Sequence, residues 1–170
     1  MAGSGCGELL RTIASLLRYP GDDFPEIARS AFGMDELVDS FLERALGMDL
    51  VDLQRAYVDS FDMSEGTSPY VTYHVHGDDP ARGRALLAFA EAYRRRGVGR
   101  DPVELPDHLP EVLLLLAAVD CTGEDYVLST TLAAAERIER GLRDMGSPYA
   151  DLLSALVRAL RDERLGGSGR

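Results

Sequence analysis

Apolar residues recur every three to four positions along most of the chain, the spacing of helices that bury one stripe. Over residues 8–18, Leu9, Leu10, Ile13, Leu16 and Leu17 form such a stripe, and Tyr19-Pro20-Gly21-Asp22 predicts its end. A short helix is expected over 24–32, stopped by Gly33. Asp35 is placed to cap a third, with Leu37, Val38, Phe41, Leu42, Ala45 and Leu46 inward and Gly47 at its end. A fourth starts at Asp49 and brings Leu50, Leu53, Tyr57 and Phe61 to one side.

From 62 to 77 the period fails. Ser64, Gly66, Thr67, Ser68 and Pro69 predict an irregular loop, and 70–76 reads equally as an extended piece or a turn of helix. Asp79 as cap and Pro80 at the first helical position restart a helix carrying Leu86, Leu87, Phe89, Ala90 and Tyr93 as far as Gly97. A second loop, 97–102, leads into Leu105-Pro106-Asp107-His108-Leu109-Pro110 and a helix over 111–119. Residues 122–125 open a long helix with Val127, Leu128, Thr131, Leu132, Ala135, Ile138 and Leu142 inward, closed by Gly146. Ser147-Pro148 then begins the last, with Leu152, Leu153, Leu156, Val157 and Leu160. Residues 1–7 and 166–170 are Gly/Ser tails expected to be disordered, leaving one helical domain over 8–165. No period-two alternation, internal repeat or sustained heptad intervenes, so the expected fold is all-α, a single-domain bundle of about eight helices.

Composition agrees with that and narrows the partners. A chain of 170 residues buries roughly 70% of its unfolded surface, and 45% of it is apolar. The longest apolar run, 112–119, falls well short of the roughly 20 residues that span a bilayer. Residues 1–7 lack the charged and apolar regions of a signal peptide, so stable membrane insertion is not expected. Cys6 and Cys121 make no disulfide framework, and Cys6 falls in the tail; the expectation is a cytoplasmic protein with reduced thiols. The net charge is −11, and the stretch 22–65 holds twelve acidic residues against Arg29, Arg44 and Arg55, a balance of −9. Such a surface repels nucleic acid and favours a cationic partner.

All three histidines, His74, His76 and His108, fall in the central stretch beside Asp78 and Asp107. A zinc site needs three or four ligands converging, whereas His-x-His on a helix diverges by about 200°. With no CxxC or HExxH, capping and loop-shaping roles are preferred for them, and no metal or other cofactor is expected. A small metal-binding protein or metal-dependent enzyme using this trio is the alternative. Cys121 beside Asp120 has no activating neighbour, no Gly-x-Ser-x-Gly elbow or phosphate loop occurs, and the chain does not read as an enzyme. Tyr57, Phe61, Tyr70 and Tyr73 gather around the irregular loop next to the acidic half. Rings supply broad contact area and carboxylates pair with Arg or Lys, a combination suited to an amphipathic helix in a groove.

The stretches Leu53-Gln54-Arg55-Ala56-Tyr57-Val58-Asp59-Ser60-Phe61-Asp62, His74-Val75-His76-Gly77-Asp78, Arg82-Gly83 and Glu104-Leu105-Pro106-Asp107-His108-Leu109-Pro110, with Leu16-Leu17-Arg18-Tyr19-Pro20 before them, resemble the NarJ family in order and spacing. These are the assembly chaperones, or delta subunits, of respiratory nitrate reductase, within the TorD-like chaperones of molybdenum enzymes. The resemblance covers about residues 8–120. It implies a TorD-like helical fold and a non-enzymatic cytoplasmic chaperone. Its partner would be the N-terminal peptide of an apo molybdoenzyme catalytic subunit, held until the molybdenum cofactor is inserted, with cofactor-biosynthesis proteins as further partners. It points to Tyr57, Phe61 and Asp107 as groove residues, to which the reading of the residues adds Tyr70 and Tyr73, and to His74, His76 and His108 as shaping its loops. Tyr73 stands where the family often has an acidic residue.

Overall fold

The fold, taken from a computed structural model, is described for residues 5–167. Among them are nine α-helices and no strand. The first four are α1 (Cys6–Leu16), α2 (Phe24–Ala31), α3 (Glu36–Leu46) and α4 (Leu50–Phe61). A 3-10 turn over Glu65–Thr67 precedes α5 (Val71–His76) and α6 (Ala81–Arg96). The chain then forms α7 (Leu109–Ala118), α8 (Asp125–Asp144) and α9 (Ala150–Gly167).

Local signals account for most boundaries. The Asp35 carboxylate accepts the Leu37 and Val38 amides at 2.8 and 3.2 Å, the cap its spacing predicts. Gly97 ends α6 in the left-handed conformation at φ 64°, where a Cβ would be strained. Asp79 accepts the Ala81 amide at 2.7 Å. Leu46 and Leu87 depart from the expected stripes: both face solvent. The helical ends also differ. Helix α1 takes in Cys6 and Gly7, and α9 runs on through Gly167, so these residues are not tail. The remainder of the two expected tails, 1–4 and 168–170, lies outside the described residues.

The ninth helix is α5, where the pattern left helix and extended chain open. Six residues are too few to carry an apolar period, and its first turn is secured from elsewhere. Asp107 accepts the Thr72 amide at 2.9 Å and the Thr72 hydroxyl at 2.6 Å, and its carbonyl accepts the Val71 amide at 3.0 Å. Tyr70 and His108 meet in one isolated antiparallel bridge. Thus the two loops that broke the helical pattern stitch together.

Helix α1 packs on α7, α9 on α8 and α3, and α5 on α8. Their inward leucines, with Ile13, Ile138 and Phe89, form one continuous core. Tyr149, fully buried, gathers Phe41, Phe61 and Tyr57 at ring separations of 5.0, 5.2 and 5.8 Å. This aromatic knot carries the core outward to the surface beside α4. Among the described residues no helix is long and apolar enough to cross a membrane. Cys6 and Cys121 are joined in a disulfide, which corrects the expectation of two reduced thiols. Their separation of 115 residues had made the pairing invisible in the pattern.

Candidate functional site

An open groove of about 620 Å³ lies between the end of α1, the C-terminal half of α4 and the stitched loops. Its apolar lining is made of rings together with Met63 and Pro69. Tyr57 and Phe61, four apart on α4, stack at 5.1 Å, and Tyr19 meets Tyr57 edge-on at 5.5 Å. Phe61 is almost wholly buried against Tyr149, so it backs the groove more than it faces it. The Tyr57 hydroxyl donates to the Leu17 carbonyl at 3.2 Å, tying α4 to α1. Tyr70 lies over His108 at 5.4 Å and donates to Glu104 at 2.7 Å. Tyr73 donates to Glu65 at 3.1 Å, with the Arg82 guanidinium 5.6 Å from its ring.

Two phenols are held firmly in the protonated, donating form. Burial, with Asp62 and Glu104 adding to it, pushes Tyr57 up to about 12. Burial and the hydrogen bond to Glu104 push Tyr70 up to about 12.

The charges are arranged in depth. Asp62, Glu65 and Glu104 line the groove and make no salt bridge among the described residues. The lining cations are Arg18 and Arg82, and each has an acidic partner behind the wall. Arg18 donates to buried Glu111 at 2.9 Å, and Arg82 sits 3.8 Å from Asp107 while donating to Thr72 at 3.0 Å. With both arginines neutralised from behind, an occupant meets three carboxylates among rings. Such a wall favours Arg or Lys alternating with apolar side chains.

Four of the five expected groove residues come together here: Tyr57, Phe61, Tyr70 and Tyr73. Asp107 does not line the groove. It is 0% exposed and caps α5 from behind, so its influence passes through Thr72 and Arg82. The histidines have three separate settings. His74 is buried, its Nε2 2.6 Å from the Ser68 carbonyl, while its own carbonyl accepts from Arg137. His108 lines the groove with Nδ1 buried and unpartnered, and His76 ends α5, partly exposed. Burial lowers both His74 and His108 below the ordinary value, favouring the neutral ring. Among the described residues no three His, Cys, Asp or Glu side chains assemble as a metal site.

Sequence reasoning missed Arg18, Tyr19, Asp62, Glu65, Arg82 and Glu104 as lining residues. All but Glu65 lie in the stretches that carry the family resemblance, which was the available signal. Glu65 reaches the groove from a 3-10 turn that no periodicity announces.

A family model described as nitrate reductase delta subunit matches residues 28–155. The chain is 36% identical over 151 residues to the nitrate reductase molybdenum cofactor assembly chaperone NarJ of Escherichia coli (strain K12), covering 89% of this chain and 53% of that protein. It is 34% identical over 106 residues to the probable assembly chaperone of the same name in Bacillus subtilis (strain 168), covering 62% and 58%. It is also 36% identical over 121 residues to the nitrate reductase-like protein NarX of Mycobacterium tuberculosis (strain ATCC 25618 / H37Rv), covering 66% of this chain and 19% of NarX. The aligned parts therefore span little more than half of the two chaperones and about a fifth of NarX.

Proposed function

The chain belongs to the nitrate reductase delta subunit family, and we propose that it is a maturation chaperone for a molybdoenzyme of that type. It captures the N-terminal segment of the apo catalytic subunit in the cytoplasm and keeps that subunit competent until the molybdenum cofactor is inserted. The cofactor belongs to the client, and the chaperone performs no bond-making step. One observation carries this reading: three carboxylates that make no salt bridge among the described residues, two of them accepting from Tyr70 and Tyr73, stand among the rings of a groove whose arginines are neutralised from behind. A basic, amphipathic helix matches that pattern, its cations to Asp62, Glu65 and Glu104 and its apolar face to Tyr57, Tyr70 and Tyr73. Long-range attraction sets the rate of capture, and ring burial sets the residence time.

The test is calorimetric titration with a peptide copying the opening segment of the catalytic subunit, at low and high salt. Micromolar or tighter binding that weakens with salt is expected. Truncating the central ring, Tyr57→Ala, should weaken it about tenfold or more while the helical signal in circular dichroism persists. The double variant Asp62→Asn/Glu104→Gln should flatten the salt dependence. A complete lack of binding, or affinity indifferent to both changes, removes this groove as the capture site.

A further inference from the structure

The two cysteines of the chain lie at one end of an antiparallel helix pair. Three cross-links give the direction: Gly7 to Asp120, Arg11 to Ala117 and Arg18 to Glu111. Helix α1 thus runs from the turn after α7, where its N-terminus is bonded to Cys121, back to the groove, which its C-terminal end lines with Arg18 and Tyr19. The bonded end is tight. A Cβ on Gly7 would stand 2.8 Å from the Ala117 carbonyl oxygen, so α1 lies flush on the last turn of α7. The turn itself is unusual: Asp120 and Cys121 both adopt positive φ, 46° and 61°, where residues with a Cβ stay only if neighbours hold them. Two holders come from α1, the Gly7 amide on the Asp120 carboxylate and Cys6 on Cys121. Cys121 is 5% exposed, whereas Cys6 is only partly buried, so Cys6 is the more accessible of the two.

We propose that Cys6–Cys121 is a reversible thiol–disulfide switch that sets how firmly α1 is held on α7, and through it the groove wall. The reductant is a small thiol and the oxidant its disulfide. A thiolate attacks Cys6 Sγ, forms a mixed disulfide there and expels the Cys121 thiolate, which takes a proton from water. A second thiolate releases Cys6, which is protonated in turn, and the reagent leaves as its own disulfide. Two electrons pass to the protein, and the reverse sequence restores the bond. With the bond open, the strained turn keeps its own backbone bonds but only the Gly7 amide on Asp120 from α1, and α1 gains freedom along its length. The switch does not depend on what occupies the groove.

The full chain is equilibrated in glutathione buffers from fully oxidised to fully reduced, with dithiothreitol as the reducing limit. Thiols are counted by alkylation and mass spectrometry, and hydrogen exchange is followed by segment. A single two-electron transition inside the glutathione series is expected. Exchange over residues 6–20 should be about tenfold or more faster in the reduced protein, with α9 unchanged. Cys6→Ser and Cys121→Ser should each show the fast exchange in every buffer. The switch is overturned if the thiols stay unpaired in oxidised glutathione, or the bond survives reduced glutathione. It is equally overturned if α1 exchanges at one rate in both states.

Discussion

The α1–α7 pair is built in opposite ways at its two ends. At the far end two links are short and close to the backbone, a disulfide and the Gly7 amide on Asp120, and one turn in, Arg11 reaches the Ala117 carbonyl. At the groove end the link is a long side chain, Arg18 reaching Glu111, and Tyr57 of α4 ties in from outside the pair at the Leu17 carbonyl. One end has helix against helix with room for no more than a glycine; the other leaves about 620 Å³ open. A small bundle built this way holds a surface cavity without collapsing. Closely tied helices fix the distance, and the open end is propped by side chains anchored in buried carboxylates. Glu111 and Asp107 are those anchors, and neither presents its charge to the groove lining.

The largest test removes the prop. Asp107→Ala deprives Thr72 of its acceptor and leaves Arg82 near a site with no countercharge, which should cost about 3 kcal/mol of stability. In urea denaturation the midpoint should fall, and hydrogen exchange should show α5 losing protection while α1 and α7 keep theirs. A change below about 1 kcal/mol would mean that α5 does not need its distant cap. A smaller effect is expected from wedging the closed end. Gly7→Ala drives a methyl against the Ala117 carbonyl and should cost about 2 kcal/mol, with exchange rising first in the opening turn of α1. Unchanged stability would show that the two helices separate there at no penalty.

The smallest effect distinguishes the ends by pH. His74 and His108, both on the groove side, are lowered from the ordinary value of 6.5 by burial. Around His108 stand Glu104, Glu111, Arg18 and Asp107, and around His74 the Ser68 carbonyl, Arg137 and Asp107. Because the folded rings resist protonation, the unfolded chain binds more protons once the pH drops below 6.5. Stability is therefore level above that value and declines below it, so the urea midpoint should be lower at about pH 5.5 than at about pH 7.5. Exchange should quicken around α5 and the 104–108 loop before the disulfide end responds. An identical midpoint at both pH values would remove the histidines from the balance.

Sequence alone determined the helices whose signals are local. Asp35 caps α3 because the partners of its side chain lie two and three residues on, and Gly97 ends α6 because a left-handed residue is needed there. It also supplied residue types found in the groove, since Tyr57, Tyr70 and Tyr73 stand close along the chain beside an acidic stretch. Tertiary structure alone decided that residues 71–76 are helical, because their cap comes from Asp107, 35 positions beyond Thr72. It decided that Asp107 is an anchor and not a contact, because burial belongs to the packed loops and not to the residue type. It paired Cys6 with Cys121 across 115 residues, a relation that exists only once α1 lies antiparallel on α7. Periodicity reports what a residue shares with neighbours three or four places away; what holds this groove open is shared between loops and helices that meet only in the fold.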